Sequence, residues 1–313
     1  MKTILVPLDG SEHSAEALPV IRSLLLTAER RVHLLRVLPP FDSAAERRER
    51  LGGPPSHLSL RLQSASEHLE AVVEDLERFG AEVTAEVRVG EICETILATA
   101  AQLDAGLIAM VTHGRHGILR WLKGSVAESI LRQSPVPLLL INATHTGDRP
   151  LGLPLHGRLL VALDGSPQST RVLPYAAEIA RQLGSHVTLL RCVQGIELVP
   201  GVPPAAPVAV PVPLTPDTEA AEAALYDPQE SLIAGGIDTD IRIQVGRASQ
   251  GILQVADDED ADLIAMTTHG REGGRRLLLG SVAESVLRDC ARPLLILNTE
   301  AEPADAALQR ATP

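Results

Sequence analysis

At 313 residues the chain is about twice the usual domain length, so two domains of roughly 150 residues each are expected. Hydrophobic residues make up 45% and charged residues 22%, the balance of a globular chain, and with aromatics at 2% the core must be aliphatic. A formal net charge of -12 argues against nucleic acid as a partner, because binding a phosphate backbone needs a clustered positive surface.

In chain order, the first half reads as strand 3–8, helix 12–28, strand 31–38, helix 57–79, strand 82–89, helix 91–103, strand 106–111, helix 125–134 and strand 136–142. Short apolar runs alternating with helical patterns mark a parallel sheet covered on both faces. Most of these strands are apolar throughout, as in Leu138-Leu139-Leu140-Ile141, because central parallel strands are buried on both sides. The stretch Val83 to Val89 alternates instead, which predicts an edge strand.

Laid on itself at an offset of 155 to 156 residues, the chain repeats through nearly its whole length. Ile4-Leu5-Val6-Pro7-Leu8-Asp9-Gly10-Ser11 returns as Leu159-Leu160-Val161-Ala162-Leu163-Asp164-Gly165-Ser166. The segment from Asp104 to Gly114 returns as Asp260 to Gly270, and Gly124 to Arg132 returns as Gly280 to Arg288. A period this long means duplicated domains rather than a solenoid. The expected division is domain one at 1–146, a linker at 147–156, domain two at 157–299 and a tail at 300–313. The copies differ most after the second strand. Copy one has the charged stretch Glu46-Arg47-Arg48-Glu49-Arg50, whereas copy two has the uncharged segment Leu198 to Pro216 with seven prolines. That segment reads as a solvated polyproline linker, or as a lid or partner contact.

The amino terminus lacks the longer apolar region of a signal peptide, and no apolar stretch reaches the ~18 residues of a membrane span; a cytoplasmic protein without membrane attachment is expected. The three cysteines, Cys93, Cys192 and Cys290, are widely separated. They fit a reducing compartment and have no metal-ligand spacing. Each aligns with a non-cysteine in the other copy, so a shared redox chemistry is excluded. The acidic run Asp257-Asp258-Glu259-Asp260 lacks calcium-loop spacing and reads as a solvated helix end.

In open α/β sheets, ligands bind beyond the carboxyl ends of the strands, where the strand order reverses. Three repeated features would meet there. The first is the turn after strand one, whose Asp9 or Asp164 can accept hydrogen bonds from an adenine amine or a ribose hydroxyl; equally, Asp-Gly makes the turn and Ser11 or Ser166 caps the next helix. The second is the end of strand two, where Val37 and Cys192 form an apolar wall or are simply core. The third runs from Thr112-His113-Gly114-Arg115 to Gly124-Ser125, and from Thr268-His269-Gly270-Arg271 to Gly280-Ser281. It delivers Gly-Ser to a helix start, where unpaired N–H groups attract phosphate, although Ser125 with Glu128 and Ser281 with Glu284 also fit a ligand-free capping box. Positive charge lies along this loop at Arg115, Arg120 and Lys123, and at Arg271, Arg275 and Arg276. No P-loop occurs, because Lys123 precedes Gly124. His113 and His116 would suggest metal, but copy two has no matching pair, so no protein metal site and no catalytic residue is assigned.

A first strand ending in Asp, five strands with four helices, and T-H-G-R…G-S-V-A-E-S-[IV]-L-R in both halves resemble the universal stress protein family. The resemblance implies two doubly wound Rossmann-like α/β domains with a five-stranded parallel sheet of order 3-2-1-4-5. It also implies the ATP-binding pattern G-2X-G-9X-G-[ST]. Gly114 and Gly270 match its second glycine, nine residues separate each from Gly124 or Gly280, and Ser125 and Ser281 match its end. Val111 and Thr267 replace the first glycine, and a β-branched side chain there is expected to crowd the ribose or force a different approach.

By resemblance, the adenine and ribose contacts fall on Pro7, Asp9, Val37 and Val111, and the phosphate contacts on Gly114, Gly124, Ser125 and Val126. Copy two would use Ala162, Asp164, Cys192, Thr267, Gly270, Gly280, Ser281 and Val282. The function implied is a stress or signalling module holding ATP, ADP or AMP with Mg²⁺ and changing shape or protein partner accordingly. A ligand-free scaffold and a slow ATPase are the alternatives, the last without an identifiable base or P-loop lysine. The last strands, Pro137 to Ile141 and Pro293 to Leu297, are expected to pair the halves into an intramolecular pseudo-dimer, and two chains into a homodimer. Two sites of unequal affinity are expected, with Thr267 making copy two the tighter.

Overall fold

The computed structural model describes residues 3–11, 14, 17–25, 31–40, 57–78, 80–112, 126–142, 157–194, 217–268, 280–290 and 292–300. Copy one contributes β1 (Thr3–Pro7), α1 (Leu18–Leu25), β2 (Arg31–Leu38), α2 (His57–Glu77), β3 (Glu82–Val89), α3 (Ile92–Gln102), β4 (Leu107–Thr112), α4 (Val126–Gln133) and β5 (Leu138–Asn142). Copy two contributes β6 (Arg158–Ala162), α5 (Leu173–Leu183), β7 (His186–Val193), α6 (Thr218–Ala234), β8 (Thr239–Val245), α7 (Ala248–Asp258), β9 (Leu263–Thr267), α8 (Ser281–Asp289) and β10 (Leu294–Leu297). The charged and proline-rich excursions lie outside the described residues.

Each half has the strand order 3-2-1-4-5, and the two sheets join as β3-β2-β1-β4-β5-β10-β9-β6-β7-β8. Pairing is parallel within each half and antiparallel at the seam, where Leu138, Leu139 and Leu140 face Ile296, Leu295 and Leu294. The alternating stretch is the edge strand β3, with β8 its counterpart at the other end. Because the halves meet antiparallel, the carboxyl ends of their strands emerge at opposite edges of the sheet.

Two apolar layers run across both copies. One holds Ile4, Val6 and Leu8 against Ile21 and Leu24 of α1 and Leu69 and Leu76 of α2, and continues into Val161, Leu163, Ile179 and Leu225 of copy two. The other holds Leu5, Leu35 and Val37 against Ile96 of α3 and Ile130 of α4, and continues into Leu160, Val255 and Val286. This division follows from period-2 alternation along the strands and from crossovers that reverse direction after β3.

Of the first predicted helix, the described part in copy one is Leu18–Leu25. In copy two, a 3-10 turn at Ser169–Val172 precedes α5, whose N-cap is Val172. Serine hydroxyls that bond to nearby backbone compete with the helix here: Ser166 Oγ accepts from the Ser169 N–H at 3.2 Å, and Ser169 Oγ donates to the Ser166 carbonyl at 2.8 Å. Ser166 therefore caps the turn and not the helix proper. The acidic run after α7 is partnered rather than simply solvated. Arg292 pairs with Asp257, and Arg242 approaches Asp258 at 3.8 Å and Glu259 at 3.2 Å.

Candidate functional site

At the carboxyl end of β1, Asp9 Oδ1 accepts the Ser11 N–H at 2.9 Å and the Ser11 hydroxyl at 2.5 Å. Burial works to raise the Asp9 pKa, but the bonds from Ser11 and Ser14 and the positive charge of Arg36 outweigh it and hold the carboxyl below its ordinary value. Copy two repeats the turn almost atom for atom: Asp164 Oδ1 takes the Ser166 N–H at 2.9 Å and its hydroxyl at 2.6 Å.

The intervening glycine is favoured by its backbone conformation. Gly10 has φ +74°, and a Cβ on it would lie 2.8 Å from Arg36 Nη1; Gly165 has φ +80°, with Arg191 Nη1 and Cζ at 2.7 Å. The left-handed φ favours glycine, and any side chain there would also have to displace the tip of the arginine. Arg36 also donates to the Leu8 carbonyl at 3.2 Å, and Arg191 to the Ala221 carbonyl at 3.3 Å. These arginines precede Val37 and Cys192 in the repeated strand, a signal visible in the sequence although it assigned them no role. Their side chains reach the neighbouring strand's turn, which no local pattern encodes.

Val37, Val126, Ala162, Cys192 and Val282 all lie in or against the layer shared with α3, α4, α7 and α8. Pro7 follows Val6 on that same face by alternation. Val111 belongs to the opposite layer, and Thr267 shares that orientation with Ala265 two residues before it. Neither β-branched side chain points toward the wall formed by Val37 or Cys192. Burial alone pushes the Cys192 thiol up to about 11.

Gly114, Gly124, Ser125 and Gly270, the loop cations and the loop histidines His113, His116 and His269 lie outside the described residues. The helix start of copy two is described. Gly280 is the N-cap of α8, with its N–H donated to the Thr268 carbonyl at 3.0 Å, and Ser281 is the first helical residue. The capping box expected of Ser281 and Glu284 does not form. Ser281 sits one position too late, and Glu284 instead approaches Arg288 at 3.4 Å. A glycine N-cap has no side chain to satisfy the first helical N–H groups, so those of Ser281, Val282 and Ala283 have no acceptor among the described residues. Also among the described residues, no cluster of three or more His, Cys, Asp or Glu side chains could hold a metal, and no helix is long and apolar enough to cross a membrane.

The Universal stress protein family profile matches residues 1–142 and again 156–298. The chain belongs to the universal stress protein family. A universal stress protein of Mycobacterium tuberculosis is 26% identical over 201 residues, a match covering 62% of each chain. The chain thus matches somewhat under two thirds of that relative's length. Among solved structures, a universal stress protein from Archaeoglobus fulgidus superposes with a TM-score of 0.68 at 21% identity, covering 95% of this chain and 98% of its own. A protein of Pseudomonas aeruginosa described as functionally unknown gives 0.65 at 19%, covering 99% and 96%. At these identities the two structures speak for the tandem universal stress protein fold.

Proposed function

We propose that this universal stress protein is a stress-response or signalling module that binds an adenine nucleotide, ATP, ADP or AMP, at the carboxyl ends of the strands in one or both halves. The observation behind this reading is the start of α8. Three main-chain N–H groups without acceptors among the described residues follow Gly280, which is bonded to the Thr268 carbonyl just past β9, where a helix dipole favours phosphate.

In this reading the phosphates meet Gly280, Ser281 and Val282, and in copy one Gly114, Gly124, Ser125 and Val126, with Gly270 at the near end of the second loop. Adenine lies against Val37 or Cys192 beside Pro7 or Ala162. Asp9 and Asp164 accept from the base or the ribose, and Val111 and Thr267 offer backbone rather than side chain. Mg²⁺ enters with the phosphates, since the described residues supply no carboxylate cluster for it. Residues 1–146 and 157–299 act as the binding units of a pseudo-dimer in the cytoplasm, with occupancy changing shape or protein partners.

The purified protein is denatured and its supernatant analysed for adenine nucleotides, and stripped protein is then titrated with ATP, ADP and AMP. Retained nucleotide or saturable binding is expected. Absence of both overturns the reading.

A further inference from the structure

On the other face of the sheet from Val37 and Val126, copy one has a concavity. A cleft of about 360 Å³ opens between the β1 turn, β2 and α2, lined among others by Gly10, Arg36, Arg61, Ser64 and His68. Two of these side chains present buried nitrogens, Arg36 Nε and His68 Nε2, that have no hydrogen-bond partner among the described residues. Buried polar groups are normally satisfied, so two such nitrogens on side chains that line one cleft mark it as a place for an acceptor. One water occupies about 30 Å³, so the cleft has room for a larger occupant. Its charge is lopsided as well. Arg36 has Asp9 near it, but Arg61 acts on it from the cleft side with the same sign.

Copy two shows what the same position looks like without these features. At an offset of 156 residues, α2 and α6 align through the buried pairs Ala65 with Ala221, Leu69 with Leu225 and Leu76 with Leu232. That alignment sets Arg61 against Asp217, Ser64 against Ala220 and His68 against Ala224. Asp217 is the N-cap of α6, accepting from the Ala220 N–H at 2.9 Å, and Arg191 donates to the Ala221 carbonyl. All the polar donors on this helix face are confined to copy one, so neither the duplication nor the fold requires them.

We propose that this cleft binds a small phosphate-type dianion through Arg36, Arg61, Ser64 and His68. Two guanidinium groups, a hydroxyl and an imidazole offer more donors than the two oxygens of a carboxylate can accept, and a tetrahedral oxyanion matches them better. The site is separate from the nucleotide reading, because it lies on the α1 and α2 side of the sheet.

The test titrates inorganic phosphate, and in a second arm malonate, into the full chain while the His68 imidazole is followed by NMR. Its resonance is identified by its loss in His68→Ala. A saturable shift with phosphate is expected, weakened at least about tenfold in Arg61→Asp, which installs the copy-two residue; Arg61→Gln replaces it should the aspartate variant fail to fold. Phosphate bound only at the Gly-Ser loops leaves His68 unmoved, and an unmoved His68 overturns the site. An undiminished shift in both Arg61 variants overturns the assignment to this cleft. A stronger response to malonate than to phosphate overturns the ligand class.

Discussion

Asn298 Nδ2 donates to the main-chain carbonyl of Arg132 at 2.7 Å, tying the end of β10 in copy two to the last turn of α4 in copy one. Its amide is oriented by the opposite bond, in which the Glu300 N–H donates to Asn298 Oδ1 at 2.9 Å. Next to it, the Thr268 N–H donates to the Leu297 carbonyl, and the Thr268 carbonyl accepts from Gly280. One end of α4 thus bonds to the strand ends beside the candidate phosphate loop of copy two. Its other end follows Gly124-Ser125, the corresponding loop of copy one.

Asn298→Asp keeps the size and the acceptor but removes this donor, leaving a carboxylate facing the Arg132 carbonyl. A loss of about 1–3 kcal/mol is expected in urea unfolding, with Asn298→Ala also destabilising. Unchanged midpoints for both variants would show that the seam is held by β5 and β10 alone.

Gly10→Ala places a Cβ against the Arg36 guanidinium at a left-handed φ. Destabilisation of at least about 1 kcal/mol is expected, and the same for Gly165→Ala against Arg191. Thermal unfolding of the two variants provides the check. Gly80→Ala, left-handed but with open space around it, should cost less than either.

The lowered Asp9 pKa has a definite sign. A carboxyl whose folded pKa lies below its ordinary value of 3.8 contributes stability that is present above that value and is lost as pH falls through the folded pKa. The stability difference between the wild type and Asp9→Asn should therefore be constant at neutral pH and shrink on acidification from about pH 4 downward. A difference that grows on acidification contradicts the assignment.

Cys192 and Cys290 both have their thiols pushed up to about 11 by burial. Only about one part in a thousand is thiolate at pH 8, so alkylation of native protein by iodoacetamide should be slow at both and fast only after unfolding. Mass-mapped labelling within minutes at Cys192 would contradict the burial.

The buried strands, the edge strand and the duplication were legible from local patterns: unbroken apolar runs in β1 and β6, alternation in β3, and the same motifs 155 to 156 residues on, whereas the strand order came with the family resemblance that those motifs carry. What escaped depended on parity or on distance. Val111 faces away from Val37 because of its odd or even position in β4, which a motif match ignores. The cap of α8 falls on Gly280 instead of Ser281, a one-residue shift that undoes a capping box. Arg36 and Arg191 act on turns in a different strand, and Asn298 acts on the other copy; no spacing rule within one element could report either.

The central claim is tested most directly by calorimetric titration of nucleotide-free protein with ATP, alongside Gly280→Val. Gly280 holds a β-region backbone that valine can adopt, so the variant should fold while its side chain blocks close approach of a phosphate. Saturable binding by the wild type is predicted, with the copy-two component lost in Gly280→Val. Identical isotherms for the two proteins would contradict a phosphate site at the start of α8, and no binding by either would contradict nucleotide binding altogether.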